Sequence, residues 1–444
     1  MSKLGCIRLI AGLSIGLFAG SLFAQTSSDD QTSTSAHPPV ESSGVNAEDA
    51  VQASNGGGEQ KMQYAAALDG TGLISMDRTT PTHLLLGVAV AGGWDSNPDN
   101  LGNGASSGVY ILSPYFGIQV STPKTQYLLQ YQPTITGYSS SIYSRETMNV
   151  ASATIAGTVN ERWSWDLSAR GTYGQDSLRL LAPQQSVAVG EVPGNSSSSA
   201  SYLPNAGTVT YANGDLDIHY RKSERDSLEF HVANSFSHFT GMSENNGVAT
   251  TERFGYGREL SSKLGVIAYG QSSYINGFID CASFGGGIGL KWQAGERTSL
   301  SLSGGPQFDT SACGNQLEFS YNAAFSTRLS SKSQIYLLAS RQPTASYLGP
   351  QLSQLSVSGG YQRRITTNGT LSLDIGYARS DTLATGSSYH ETYFGCIYGY
   401  RIGHGFSATY TYRGYVGDSN GTKFTRNLGL FSLTWTPGAG RVFQ

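Results

Sequence analysis

Three groups of residues in this chain carry side chains suited to chemistry. His231 and Ser235 offer a base and a nucleophile. If they share a strand, four residues span about 13 Å, beyond hydrogen-bonding reach. Asp217 and His219 precede a short polar turn at 222–226, and Glu229 and His231 follow it. A hairpin there would gather two imidazoles and two carboxylates on one wall. The stretch Asp95-Ser96-Asn97-Pro98-Asp99-Asn100 opens like a calcium loop. Asn100 stands where that loop needs glycine, however, and Ser106 where it needs the closing glutamate. It reads as an Asn/Asp/Pro turn. No dinucleotide or phosphate loop lies between a strand and a helix, and no histidine–serine–asparagine signature of an outer-membrane phospholipase is visible. The expectation is no metal, no cofactor, no catalytic residue and no enzyme.

The elements that carry these residues alternate with period two. Trp163, Trp165, Leu167, Ala169 and Tyr173 fall on one face of a strand, and Ser164, Asp166, Ser168, Arg170 and Thr172 on the other. A slip of one residue would exchange the faces, so the register is fixed. The same pattern recurs from residue 82 onward, and the links between strands alternate short and long. Short polar links are expected at 122–125, 160–162, 222–226, 261–263, 295–298, 330–333, 366–369 and 403–405. Longer ones are expected at 95–107, 139–146, 176–205, 241–250, 276–282, 310–315, 345–351, 382–388 and 416–422. The fold class is all-β: a transmembrane antiparallel up-and-down β-barrel of about eighteen strands. The weak segments 148–159 and 264–272 leave sixteen as the alternative. An apolar outer face suits lipid, and a polar inner face suits a wet lumen. Inner faces read as Ser, Gly, Thr and Gln.

Composition agrees. Only 13% of the 444 residues are charged, with 56 Gly and 26 Tyr. That is too few charges for an ordinary soluble domain. A mean hydropathy of -0.24 is too polar for a helical membrane protein. A net charge of -3 argues against a nucleic-acid partner. Residues 1–24 read as a signal peptide, with Lys3 and Arg8 ahead of an apolar run and Ala24 before the cut. An uncleaved anchor is the rival. Residues 25–80 are rich in Ser, Thr, Asp, Gln and Gly and read as a disordered periplasmic segment, too short for a plug domain. Residues 81–444 form the barrel.

An exported chain of strands points to the bacterial outer membrane, with both termini periplasmic. Ionisable residues expected to line the lumen are mixed in sign: Asp166, Arg170, Asp217, His219, Glu229, His231, Lys291, Glu318, Arg328, Asp374 and Arg413. A strongly selective pore would concentrate one sign. Cys281 and Cys313 fall in consecutive long links on one side, in an oxidising compartment, and are expected to form a disulfide. Two free thiols held too far apart are the alternative. Cys396 alternates in step with Phe394, Tyr398 and Tyr400 and reads as lipid-facing.

The run from Gly92 to Asn100 and the close Ser432-Leu433-Thr434-Trp435-Thr436-Pro437 resemble the two ends of outer-membrane β-barrels of the porin-like kind. Some of these accompany exopolysaccharide secretion. The resemblance implies an envelope barrel that passes small solutes or saccharides. Its partners would be outer-membrane lipid, the barrel-insertion machinery and, for some porins, two further copies in a homotrimer. The alternative is a non-conducting accessory barrel bound to an export complex. The chain departs from the pattern in one respect. Such barrels commonly end on an aromatic residue, whereas residues 436–444 follow Trp435 here.

Overall fold

The computed structural model describes residues 82–98, 104–175, 208–240, 246–277, 280–295, 297–310, 317–346, 349–382, 388–403, 405–419 and 421–436. The expected leader, the polar segment at 25–80, the link at 176–205, Cys313 and the tail beyond 436 lie outside these residues.

Six strands lead: β1 (Thr82–Asp95), β2 (Ser107–Ser121), β3 (Thr125–Tyr138), β4 (Glu146–Asn160), β5 (Trp163–Gln175) and β6 (Val209–Arg221). Next come β7 (Asp226–Phe239), β8 (Gly247–Ser261), β9 (Leu264–Gly277), β10 (Cys281–Ala294), β11 (Thr298–Asp309) and β12 (Leu317–Ser330). The last six are β13 (Ser333–Ser346), β14 (Gly349–Arg364), β15 (Gly369–Thr382), β16 (Ser388–Gly403), β17 (Phe406–Ser419) and β18 (Thr422–Trp435). Each strand pairs antiparallel with the next, and β1 pairs with β18, so the sheet closes on itself. Closure removes the two exposed edges that an open sheet would present. The segments around 148–159 and 264–272 form β4 and β9, which makes the count eighteen.

Side chains alternate as the register requires. Tyr173 is 59% exposed while Arg170 beside it is 8%, and Ile288 is 75% exposed while Ser283 is 5%. The outer face carries Leu, Ile, Val, Phe and Tyr from nearly every strand. Rings gather at the short-turn end: Trp163 lies 4.5 Å from Tyr220, and Phe406 lies 6.3 Å from Trp435, centroid to centroid. Trp94 sits at the opposite end of β1.

Three expectations need correction. First, the strands run 12 to 16 residues, so several links read as long are tight. Only 278–280 separate β9 from β10, 347–348 separate β13 from β14, and 420–421 separate β17 from β18. At the last of these, Gly421 adopts φ +84° and donates its N–H to Asp418 Oδ1 at 2.7 Å, which closes a hairpin where a loop was expected. Second, Cys281 is not in a link. It is the first residue of β10, buried, and disulfide-bonded. Third, the inner face is not uniformly polar. Tyr115, Met148, Val150, Ile267, Leu338 and Ile397 point inward and are buried. The wall itself supplies a reason. Cα atoms of β8 come within 8 Å of β13 and β14, and those of β7 within 8 Å of β13, across the lumen. Of the six, Leu338 lies on one of the strands drawn together in this way, where the inner face meets protein rather than water.

Candidate functional site

The lumen wall holds the ionisable residues in three groups, each created by register. In the first, the β6–β7 hairpin sets Asp217 opposite His231 and His219 opposite Glu229. His231 Nδ1 lies 2.7 Å from Asp217 Oδ1. His219 Nδ1 and Lys291 Nζ each lie 3.9 Å from Glu229 Oε1. Asp166 on β5 is in register with Asp217. The two histidines therefore do not meet; each faces a carboxylate. A cavity of about 1360 Å³ opens beside them at the short-turn end, lined by His219, Glu229 and Lys291 together with the turns that follow β4, β6 and β8. Among the described residues no three His, Cys, Asp or Glu side chains come together as a metal site.

The second group crosses a strand. Asp374 on β15 and Arg413 on β17 are not on neighbouring strands, yet Arg413 Nη2 lies 3.7 Å from Asp374 Oδ2. Both are in register with Gly395 on the intervening β16. A Cβ at Gly395 would stand 2.4 Å from Asp374 Oδ1, so the glycine is the gap through which the pair meets. Arg413 Nη1 also donates to the Tyr415 hydroxyl at 3.2 Å, and its guanidinium lies 5.5 Å from the Tyr393 ring centroid. All four side chains are buried. Burying a charge this deeply requires such partners.

The third group is the closing seam. Pairing of β1 with β18 runs only from Val88 opposite Trp435 to Asp95 opposite Leu428, whereas β1 pairs with β2 along its whole length. Side chains extend the seam. Arg426 Nε donates to Asp95 Oδ1 and Oδ2 at 3.0 and 3.1 Å, with both residues at most 1% exposed. Asp95 Oδ1 also accepts the Asn97 N–H at 3.0 Å. Ser96 N–H donates to the Asn427 carbonyl at 2.9 Å, Asn427 N–H donates to Ser96 Oγ at 2.7 Å, and Asn97 Nδ2 donates to the Thr425 carbonyl at 3.1 Å. The Asn/Asp/Pro turn read from sequence thus fastens the first strand to the last.

The remaining predicted residues stand apart from these groups. Arg170 is buried on β5. Glu318 pairs with Arg341 of β13 at 3.2 Å. Arg328 is half-buried three residues from the turn at 331–332. Sequence reasoning missed Arg426, Glu391, Tyr393 and Tyr415. The signal was present, since Tyr393 and Tyr415 alternate out of step with lipid-facing Phe394 and Tyr412.

A closed antiparallel barrel, apolar outside and ionisable within, defines the class: a membrane-spanning β-barrel. No protein-family model matches the chain, and no curated protein matches its sequence. Solved structures similar to it include the siderophore receptor PirA from Acinetobacter baumannii (9% identity, 81% of each chain, TM-score 0.40). OccAB3 from the same species is similar at 9% identity over 80% of this chain and 98% of that one, TM-score 0.41. So is Pseudomonas aeruginosa OpdK with vanillate, at 9% identity over 80% and 98%, TM-score 0.42. At such identities no residue role passes to this chain.

Proposed function

We propose that this chain is a porin-like channel of the bacterial outer membrane, with both termini on the periplasmic side, that passes small polar solutes or saccharides. The carrying observation is the cavity of about 1360 Å³ at the short-turn mouth of the barrel, with Glu229, His219 and Lys291 on its wall. Charges of both signs sit within a few ångströms of one another there, which solvates the wall without favouring one ion. The approach of β7 and β8 to β13 and β14 makes the lumen narrower than a round eighteen-strand cylinder, so aperture is set by the wall. Reconstitution of the purified barrel in planar bilayers tests this. Discrete conductance steps, with swelling of barrel-containing liposomes in small sugars, are expected. A silent, sugar-tight barrel overturns the channel and leaves the accessory role.

A further inference from the structure

Cations ring the short-turn end of the barrel. Each of the eight short turns carries a lysine or arginine in it or within three residues of it. At the turns that follow β4, β6 and β8 these cations have carboxylates for neighbours. Glu161, Glu224, Asp226 and Glu259 stand there, and Arg258 Nη1 lies 3.9 Å from Asp226 Oδ1. The rest of the rim differs. It runs without a break from β12 to β18 and on through β1 to β3. The stretches 326–336, 359–372, 397–411 and 117–129, which make its turns, contain no Asp or Glu. Lys124, Lys332, Arg363 and Arg364 are exposed along this arc. Among the described residues no hydrogen bond or ion pair engages their charged groups. Two of the turns are immediate neighbours, since the Arg364 N–H donates to the Lys332 carbonyl at 2.7 Å. Cations gathered this way repel one another and draw a polyanion.

The chain itself supplies one at the same place. β1 starts at Thr82, in register with Val120 near the short-turn end of β2, and its other neighbour is β18. The residues before Thr82 therefore enter at the short-turn rim, inside the acid-free arc. Residues 45–81 carry Glu48, Asp49, Glu59, Asp69 and Asp77 against Lys61 and Arg78, five acids to two bases, a net charge of -3. Treated as a coil, a segment of this length spans ~33 Å. Eighteen tilted strands about 4.8 Å apart make a rim ~35 Å across, so the segment reaches every turn of the arc. A tether of this kind holds its charges at a local concentration on the order of 1 mM, enough to half-occupy a contact of only about 1 mM affinity.

We infer that residues 45–81 are the partner of the basic arc. The segment folds back over the rim, and its carboxylates pair with Lys124, Lys332, Arg363 and Arg364, covering that side of the short-turn mouth. Anionic lipid headgroups suit the same cations, but the acidic segment is held beside them by the chain. The contact needs no conduction, so it stands or falls apart from the channel.

The test uses the full chain folded in phosphatidylcholine vesicles, with Tyr64 replaced by the photoreactive benzoylphenylalanine and cross-linked peptides mapped by mass spectrometry. Cross-links are expected on the turns at 122–124, 331–332 and 365–368. They should fall at least about fivefold in 1 M salt, where screening acts over about 3 Å. The same fall is expected when Glu48, Asp49, Glu59, Asp69 and Asp77 are all changed to Gln or Asn. Lys332→Gln, Arg363→Gln and Arg364→Gln together should remove the cross-links at 331–332 and 365–368. Heat-modifiable gel mobility shows that every variant is folded. Cross-links that fall equally on the turns after β4, β6 and β8, or that survive both sets of substitutions, overturn the inference. So does their complete loss when half the lipid is phosphatidylglycerol, which would assign the arc to headgroups.

Discussion

Replacing Asp95 with alanine removes the acid that holds the long-link end of the β1–β18 seam. Arg426 then keeps its charge at a site that is 1% exposed, without the carboxylate it meets through two nitrogens. Breaking a buried pair by deleting one partner costs about 3–5 kcal/mol, because the remaining charge stays desolvated. The loss also frees the Asn97 N–H from Asp95, which loosens the turn that carries Ser96 onto Asn427. With a urea dependence of about 3 kcal/mol per molar, the midpoint falls by about 1–2 M. Urea titration of the barrel folded in lipid vesicles, followed by tryptophan fluorescence, reads this directly. Trp94 and Trp435 both lie on the seam and report its opening. A double-mutant cycle over Asp95→Asn and Arg426→Gln should return a coupling above about 1 kcal/mol. Coupling near zero, or an Asp95→Ala barrel within about 0.5 kcal/mol of wild type, refutes the idea that this pair closes the barrel.

Three other outcomes are expected. Gly93→Ala places a Cβ 1.9 Å from the Gly429 carbonyl across the same seam and should cost about 1–3 kcal/mol in the same titration, whereas Gly429→Ala, which meets nothing, should stay within about 0.5 kcal/mol. Reduction of the disulfide at Cys281 should lower stability by about 2–4 kcal/mol, with Cys396→Ser, the free outward thiol, showing no change and the same response to reductant. Lys291→Glu puts a second carboxylate beside Glu229 at the short-turn mouth and should move the reversal potential toward cations at low salt. That shift should vanish near 1 M salt, where screening acts over about 3 Å. A shift of the opposite sign, or one indifferent to salt, counts against the mouth as a place where wall charge acts on permeating ions.

Period-two alternation made the barrel legible because lipid and water impose opposite demands on adjacent residues. Trp163 to Tyr173 shows it best, since either misregister would set Asp166 or Arg170 in hydrocarbon. The turns at the short-link end were legible for a similar local reason: Thr122, Asn160 and Ser223 all cap their own turns with side-chain oxygens. Where the strands continue past the membrane, that demand lapses and alternation weakens. This is why the hairpins at 347–348 and 420–421 read as loops.

Contacts made by closure were not legible, because no local pattern encodes them. Asp95 and Arg426 lie 331 residues apart and meet only because the eighteenth strand returns to the first. Asp374 and Arg413 look like separate lumen charges until the register places both against Gly395. The rule that a lone lumen charge solvates the wall fails there, since a side chain with 7% or less exposure cannot be solvated by water and must be held by protein.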